Sequence, residues 1–346
     1  MSKRIVALDL LKLVAIFLVL YGHALQHLVS VDKTDIGMFR FITSFHMPLF
    51  MAISGYFAAS SIRFNFKNFV LRKGCQLLVP AIAGSIIVSG IYYLLGADVN
   101  YKELIIYGLW FLRSLFICSV LFFIAAKRTK YVAVWLVITL IISQIVPYLH
   151  LPWMYPAFLL GAAIKHWSEW FKRHSALLMI ATAISFVWMF PELEAKHYQV
   201  IKTSDAVLKL FNGDSSMLCQ LLAVRGFRIA LGSAATTFIM LAFMRFTHNT
   251  AAAKWMSQFG TYTLGVYILQ TFVLEAVIHH FVNFDCLPLW VHTYVAAPLV
   301  AAGVLILTLW LSKLCERNKF TALIFLGKVH ADTDITTRSN ARSLDH

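Results

Sequence analysis

Ile5-Val6-Ala7-Leu8-Asp9-Leu10-Leu11-Lys12-Leu13-Val14-Ala15-Ile16-Phe17-Leu18-Val19-Leu20-Tyr21-Gly22-His23-Ala24-Leu25-Gln26-His27-Leu28 is the stretch on which the fold turns. As a helix it is roughly 36 Å long, enough to cross a hydrocarbon core of about 30 Å. Nine more apolar segments follow: Met38–Ala59, Leu77–Leu95, Leu104–Ala126, Tyr131–Tyr148, Trp153–His166, Ser175–Phe190, Val224–Met244, Phe259–Phe281 and His292–Ser312. The sixth and seventh are short. None shows the alternation of an outer-membrane barrel strand, so helix is the expected state throughout. The composition agrees: 60% of the 346 residues are hydrophobic, 13% are charged, and mean hydropathy is +0.74. Soluble proteins carry about a quarter charged residues, so a set of soluble domains is excluded. The expected fold is an all-α polytopic membrane protein of about ten helices.

The net charge of +14 would point a soluble protein towards nucleic acid, but here the placement of the cations matters more. With an even number of spans both termini share one side. Placing them in the cytoplasm puts twenty Lys and Arg inside and eight outside, which is the positive-inside asymmetry. The expected location is a bacterial cytoplasmic (inner) membrane, with the lipid bilayer as a partner and no nucleic acid. Lys3 and Arg4 before an apolar run look like a signal peptide. Asp9 and Lys12 interrupt that run and no small-residue cleavage site follows, so it reads as a retained first helix. Residues 1–326 form the expected membrane domain, and 327–346 a polar, disordered cytoplasmic tail. The outer loop from about Pro191 to Ala223 reads as a re-entrant or substrate-facing segment. Five scattered cysteines lack metal-ligand spacing and read as small apolar fillers, with Cys219–Cys286 the one pairing open to a disulfide.

Ionisable groups inside a span cost at least about 2.5 kcal/mol each on insertion scales and are functional candidates by default. They are Asp9, Lys12, His23, His27, His46, Arg113 and Glu275, with His279 and His280 near a span end. Lys12 and His23 are eleven residues apart, three helical turns, so they share a face roughly 16 Å apart along the axis. Asp9 and His27 extend the same stripe. That stripe reads either as a reactive surface or as a polar seam docking helices through an Asp9–Lys12 pair. In the second segment Pro48 frees a backbone carbonyl near His46, and Ser54-Gly55 permits a close helix contact. His23, His46 and Arg113 fall at similar depth in the outer half, the arrangement of a reaction chamber.

Two motifs carry a resemblance. The first is Asp-Leu-Leu-Lys…Gly-His over Asp9–His23, and the second is Phe45-His46-Met47-Pro48-Leu49-Phe50 followed by Ser54-Gly55-Tyr56. Together they resemble the integral-membrane acyltransferase family 3, the O-acetylases of envelope and extracellular polysaccharides, and the resemblance runs from Ile5 to about Ser312. Weaker matches are Leu109-Trp110-Phe111-Leu112, Phe158-Leu159-Leu160-Gly161 and Thr263-Leu264-Gly265-Val266-Tyr267. The sequence departs from the family at three places. Lys12 stands where Arg is usual, which keeps the charge but loses the guanidinium fork. Lys73 and Gln76 replace a pair of arginines before Leu77-Leu78-Val79-Pro80, and Gln270 ends a motif that often ends in His.

The resemblance implies transfer of an acyl group, usually acetyl, from acyl-coenzyme A to a sugar hydroxyl, with acetyl-CoA as donor substrate and no tightly bound cofactor or metal. A hydroxyl needs a base working near neutral pH, and His23 is the candidate. His46 is expected to orient the acceptor, act in a relay or carry the acyl group. Arg113, then Lys12, would stabilise the oxyanion. Lys12, Arg72 and Lys73 would attract the donor's phosphates, although Arg72 and Lys73 serve equally as positive-inside anchors. Trp110, with Phe111, would stack on sugar, and Glu275 would either hold a histidine tautomer or pair with Arg113. A transporter or glycan flippase is the competing reading, since buried charges, a Pro-broken helix and ten spans suit it too; no internal repeat supports it. A purely structural membrane partner is a third, weakened by the histidine-basic stripe.

Overall fold

The computed structural model describes residues 5–59, 62–96, 99–127, 129–146, 148–198 and 201–328, and contains no strand among them. Eight helices are long and apolar enough to cross a membrane. They are α1 (Val6–His27), α2 (Gly37–Ala58), α3 (Phe66–Leu94), α4 (Tyr101–Ala126), α7 (Ser175–Glu192), α8 (Ser216–Phe246), α9 (Ala251–Phe281) and α10 (Leu289–Glu316). Two further helices, α5 (Val132–Ile145) and α6 (Leu151–His166), lie over the fifth and sixth predicted segments and have 14 and 16 residues. Their lengths correspond to roughly 21 and 24 Å, short of a full core. The predicted seventh segment, read as short from sequence, gains Pro191 and Glu192 from a 3₁₀ turn. Lys3, Arg4, Arg128 and the tail from residue 329 onward lie outside the described residues.

Large apolar side chains face outward in numbers that water would not tolerate. On α7, Val187 and Trp188 are 70% and 80% exposed, and α10 presents Leu299, Ile306 and Trp310. With lipid as solvent these faces are at home, and the polar groups turn inward. α1 lies against α2, α8, α9 and α10, so the helix carrying the polar stripe is largely enclosed by protein.

The tightest helix pair is α2 with α6, and glycine is the reason. A Cβ on Gly55 would meet the Phe158 carbonyl oxygen, and one on Gly161 would meet that of Ala52. The Ser54-Gly55 pair therefore does what its sequence predicts, and its partner is the Phe158–Gly161 motif. Pro48 is buried inside α2 beside Gly232 of α8, whose missing side chain leaves room for the Pro48 ring and the Ser44 carbonyl.

Beyond α1 the chain is clasped to the α9–α10 connection. The Phe284 amide donates to the Leu28 carbonyl at 2.8 Å. Hydrogen bonds from the Ser30 hydroxyl and amide, and from Asn283, hold the Asp285 carboxyl below its ordinary pKa. All five cysteines are free, and Cys219 and Cys286, far from being buried filler, are exposed.

Candidate functional site

A cavity of about 520 Å³ opens beside the C-terminal third of α1. Of the residues singled out from sequence, His23, His46, Trp110 and Glu275 line it. They arrive from four separate helices, α1, α2, α4 and α9. The connection between α7 and α8 contributes Tyr198, whose hydroxyl lies 3.1 Å from Thr43 Oγ1. Part of the Pro191–Ala223 segment therefore does face the cavity.

His23 Nδ1 lies 3.3 Å from Glu275 Oε1. The carboxylate sits in a π-helical stretch, Thr271–Ile278, within α9. Such wide turns recur at functional sites because the extra residue re-aims side chains. Gln270 Nε2 donates to the same Oε1 at 2.8 Å, so the residue that departs from the family pattern steadies the carboxylate. Of the two partners open to Glu275, the one it meets is His23. His46 Nδ1 lies 2.9 Å from the Ile42 carbonyl oxygen, to which it donates, leaving Nε2 as the acceptor of the neutral ring. His27 stacks on His23 with ring centroids 5.8 Å apart, but it does not line the cavity.

At the other end of the stripe, Lys12 Nζ donates to Asp9 Oδ1 at 2.9 Å. The ammonium is nevertheless not consumed by that pair. Lys12 lines two smaller cavities, of about 190 and 230 Å³, and Lys73 lines the first of them together with Gln76. Lys73 Nζ donates to Gln76 Oε1 at 3.2 Å. The two cavities share Lys12, Ser54, Gln76 and Leu115 as walls, and the second shares Met47 and Tyr267 with the large one. The α1 stripe between Lys12 and His23 is apolar there, with Ile16 and Val19 facing Phe50, Phe111 and Tyr267. Two polar chambers are thus arranged along one helix face with an apolar waist between them.

Two expected residues are placed elsewhere. Arg113 lines none of these cavities; its guanidinium donates to the Ile105 carbonyl and reaches Ser85 Oγ at 3.5 Å. The cause is a break in α4: Leu109 adopts left-handed φ (50°), and in an apolar medium the carbonyl in the turn before it needs a donor. Arg72 rests on the Phe64 ring, 4.8 Å from its centroid, and lines none of the cavities either.

Two cations not marked as site residues from sequence reach the large cavity, Arg228 and Lys33, both counted there as outer-side charges. Arg228 is the one held on its aromatic wall. It lies 4.0 Å over the Trp153 ring and 5.6 Å from Tyr198. Its signal was its position a turn inside the eighth predicted span rather than before it. His150 also lines the cavity, 4.6 Å from Trp110 and 5.1 Å from Trp153. Burial beside the Arg228 guanidinium pushes His150 down to about 4, so the ring is neutral. Leu109 and His150 both have positive φ without being glycine (50° and 59°), and both face this cavity. Strained backbone of this kind persists where the surroundings over-determine it, as at binding sites.

A family model described as an acyltransferase domain matches residues 5–317. The chain belongs to acyltransferase family 3. Two relatives share a printed name, Nodulation protein NolL. That of Sinorhizobium fredii is 30% identical over 203 residues, 52% of this chain and 55% of the relative. That of Mesorhizobium japonicum is 25% identical over 305 residues, 78% of this chain and 76% of the relative. The first match therefore spans little more than half of the relative's length. No solved structure matches. Every residue of the two chambers falls within the acyltransferase domain, including Arg228 and Gln270, which the motifs did not mark.

Proposed function

We propose that this protein is a membrane O-acyltransferase that moves an acyl group, acetyl in the simplest case, from acyl-coenzyme A to a hydroxyl of an envelope or extracellular carbohydrate. The observation that carries the reading is His23, backed by Glu275, at the end of a line of cavities whose other end is basic. Lys12 and Lys73 receive the phosphates of the donor on the cytoplasmic side. The acyl-bearing arm lies along the apolar waist, and the acceptor sugar enters the large chamber against Trp110, Trp153 and Tyr198.

His23 takes the proton of the acceptor hydroxyl as its oxygen bonds to the acyl carbon. Glu275 stabilises the imidazolium that forms, the role of the buried acid in a catalytic triad. Arg228, in place of Arg113, supplies positive charge for the tetrahedral oxyanion. Collapse breaks the carbon–sulfur bond, and the proton on His23 passes to the departing thiolate. The acceptor hydrogen-bonds to Nε2 of His46, whose neutral tautomer leaves that atom free to accept.

The test is label transfer from radiolabelled acetyl-coenzyme A to an envelope glycan by the purified protein in detergent. His23→Ala is expected to lower the rate by about 10²–10⁴-fold. Glu275→Gln should lower kcat by roughly tenfold to a hundredfold at unchanged donor KM, equivalent to about 1.4–2.8 kcal/mol. Wild-type transfer no greater than that of His23→Ala would overturn the reading for that acceptor.

A further inference from the structure

His23, His27 and Glu275 each offer one ligand atom, and these atoms lie within 4.8 Å of one another. We infer that the three form a divalent-metal site of the zinc type and that the bound metal switches the transferase off. The donor set is two imidazoles and a carboxylate, which is borderline in softness and suits Zn²⁺. The two histidines stand at i and i+4 on one face of α1, the spacing by which a helix presents a pair of ligands to one ion.

Two details of geometry go beyond proximity. His23 Nδ1 is buried and makes no hydrogen bond among the described residues, although Glu275 Oε1 is only 3.3 Å away. A nitrogen and an oxygen that close, yet not aligned for a hydrogen bond, have the spacing of two ligands on one ion. With metal–ligand bonds of about 2.0–2.1 Å, the edge of a tetrahedron is about 3.3–3.4 Å. The surroundings also hold the ligands in place. Gln270 Nε2 donates to the Glu275 carboxylate, and His279 Nδ1 meets the His27 backbone carbonyl at the turn that carries the second ligand. Two of the three ligands, His23 and Glu275, line the large chamber, which gives an ion or its water a route to the site.

The consequence follows from imidazole chemistry. A neutral ring that gives its Nδ1 lone pair to a metal must carry its remaining proton on Nε2. That nitrogen then donates and cannot accept, so His23 cannot remove the acceptor's proton. Glu275 is taken as well. This inhibitory half rests on His23 being the base of the proposed reaction; the binding half does not.

The experiment uses the full-length protein in detergent, stripped with a chelator, and titrated with Zn²⁺ against a fluorescent zinc indicator. One Zn²⁺ per chain is expected, absent from His27→Gln, which should keep its basal transfer because His27 does not line the chamber. Zn²⁺ should inhibit wild-type transfer, EDTA should restore it, and His27→Gln should need at least tenfold more Zn²⁺ for the same inhibition. Equal zinc binding by wild type and His27→Gln, or transfer by the zinc-loaded protein at the metal-free rate, overturns the proposal. A chain that binds one Zn²⁺ through His27 yet transfers no acyl group supports the site and overturns the acyltransferase reading instead.

Discussion

Lys12 shows how one side chain can satisfy two readings of the sequence. Its pair with Asp9 at 2.9 Å is the structural seam, and its place on the wall of two cavities is the functional one. An ammonium has three donors, so one bond to Asp9 leaves two for a phosphate. Lys12→Arg is therefore expected to keep transfer within a fewfold of wild type. Lys12→Met should raise donor KM roughly tenfold or more, the effect of losing one charge-assisted contact of about 1.5–3 kcal/mol. Steady-state kinetics over a range of acyl-coenzyme A concentrations checks both. Near-complete loss in the Arg variant would assign the ammonium a role that charge alone does not explain. Arg113 and Arg228 teach the opposite lesson. Arg113 lies deeper in its predicted span than Arg228 does, yet Arg113 caps a carbonyl and Arg228 faces the cavity, so depth read from sequence did not tell their roles apart.

At the scale of elements, α2 and α6 are set by backbone contact. Gly161 packs on the carbonyl of Ala52 so closely that a methyl group has no room. Gly161→Ala must push the helices apart, and overpacking of this kind costs about 1–3 kcal/mol. A fall in the thermal unfolding midpoint in detergent, with transfer reduced because His46 and Trp153 sit on the separated helices, is the expected result. An unchanged midpoint would mean that the pair relaxes without cost. Periodicity predicted that α1 presents Asp9, Lys12 and His23 on one face, and the cavities confirm that Lys12 and His23 share it. Between those two residues the face is apolar, since Ile16 and Val19 form the waist. The π-helical turn under Glu275 had no sequence signal, because a wide turn is selected by what its side chains meet.

For the whole molecule, the charge asymmetry predicts orientation. Cysteines placed singly at Lys130 and Lys202, on either side of the α5–α7 region, test it with a membrane-impermeant thiol reagent. Labelling of position 202 alone in intact cells is expected, and labelling of 130 alone would invert the topology. Orientation matters to the proposed reaction because the Lys12 end must meet the cytoplasmic donor and the His23 end the acceptor. The three cavities run along α1 in that order, so donor and acceptor would approach one reaction centre from opposite faces.

All-helical character, the approximate span positions and the family were readable from the chain alone. Each rests on local properties: hydropathy over about 20 residues, the 3.6-residue period, and motifs of contiguous side chains. The partners of those side chains were not readable. That Glu275 meets His23 and not Arg113, that Arg228 reaches the chamber, and that Gln270 supports the carboxylate all follow from how α1, α4, α8 and α9 pack. In hydrocarbon every polar group must find a partner inside the protein. Which partner it finds depends on helix rotation and on close glycine contacts, and those are properties of the packed bundle, to which no single segment commits in advance.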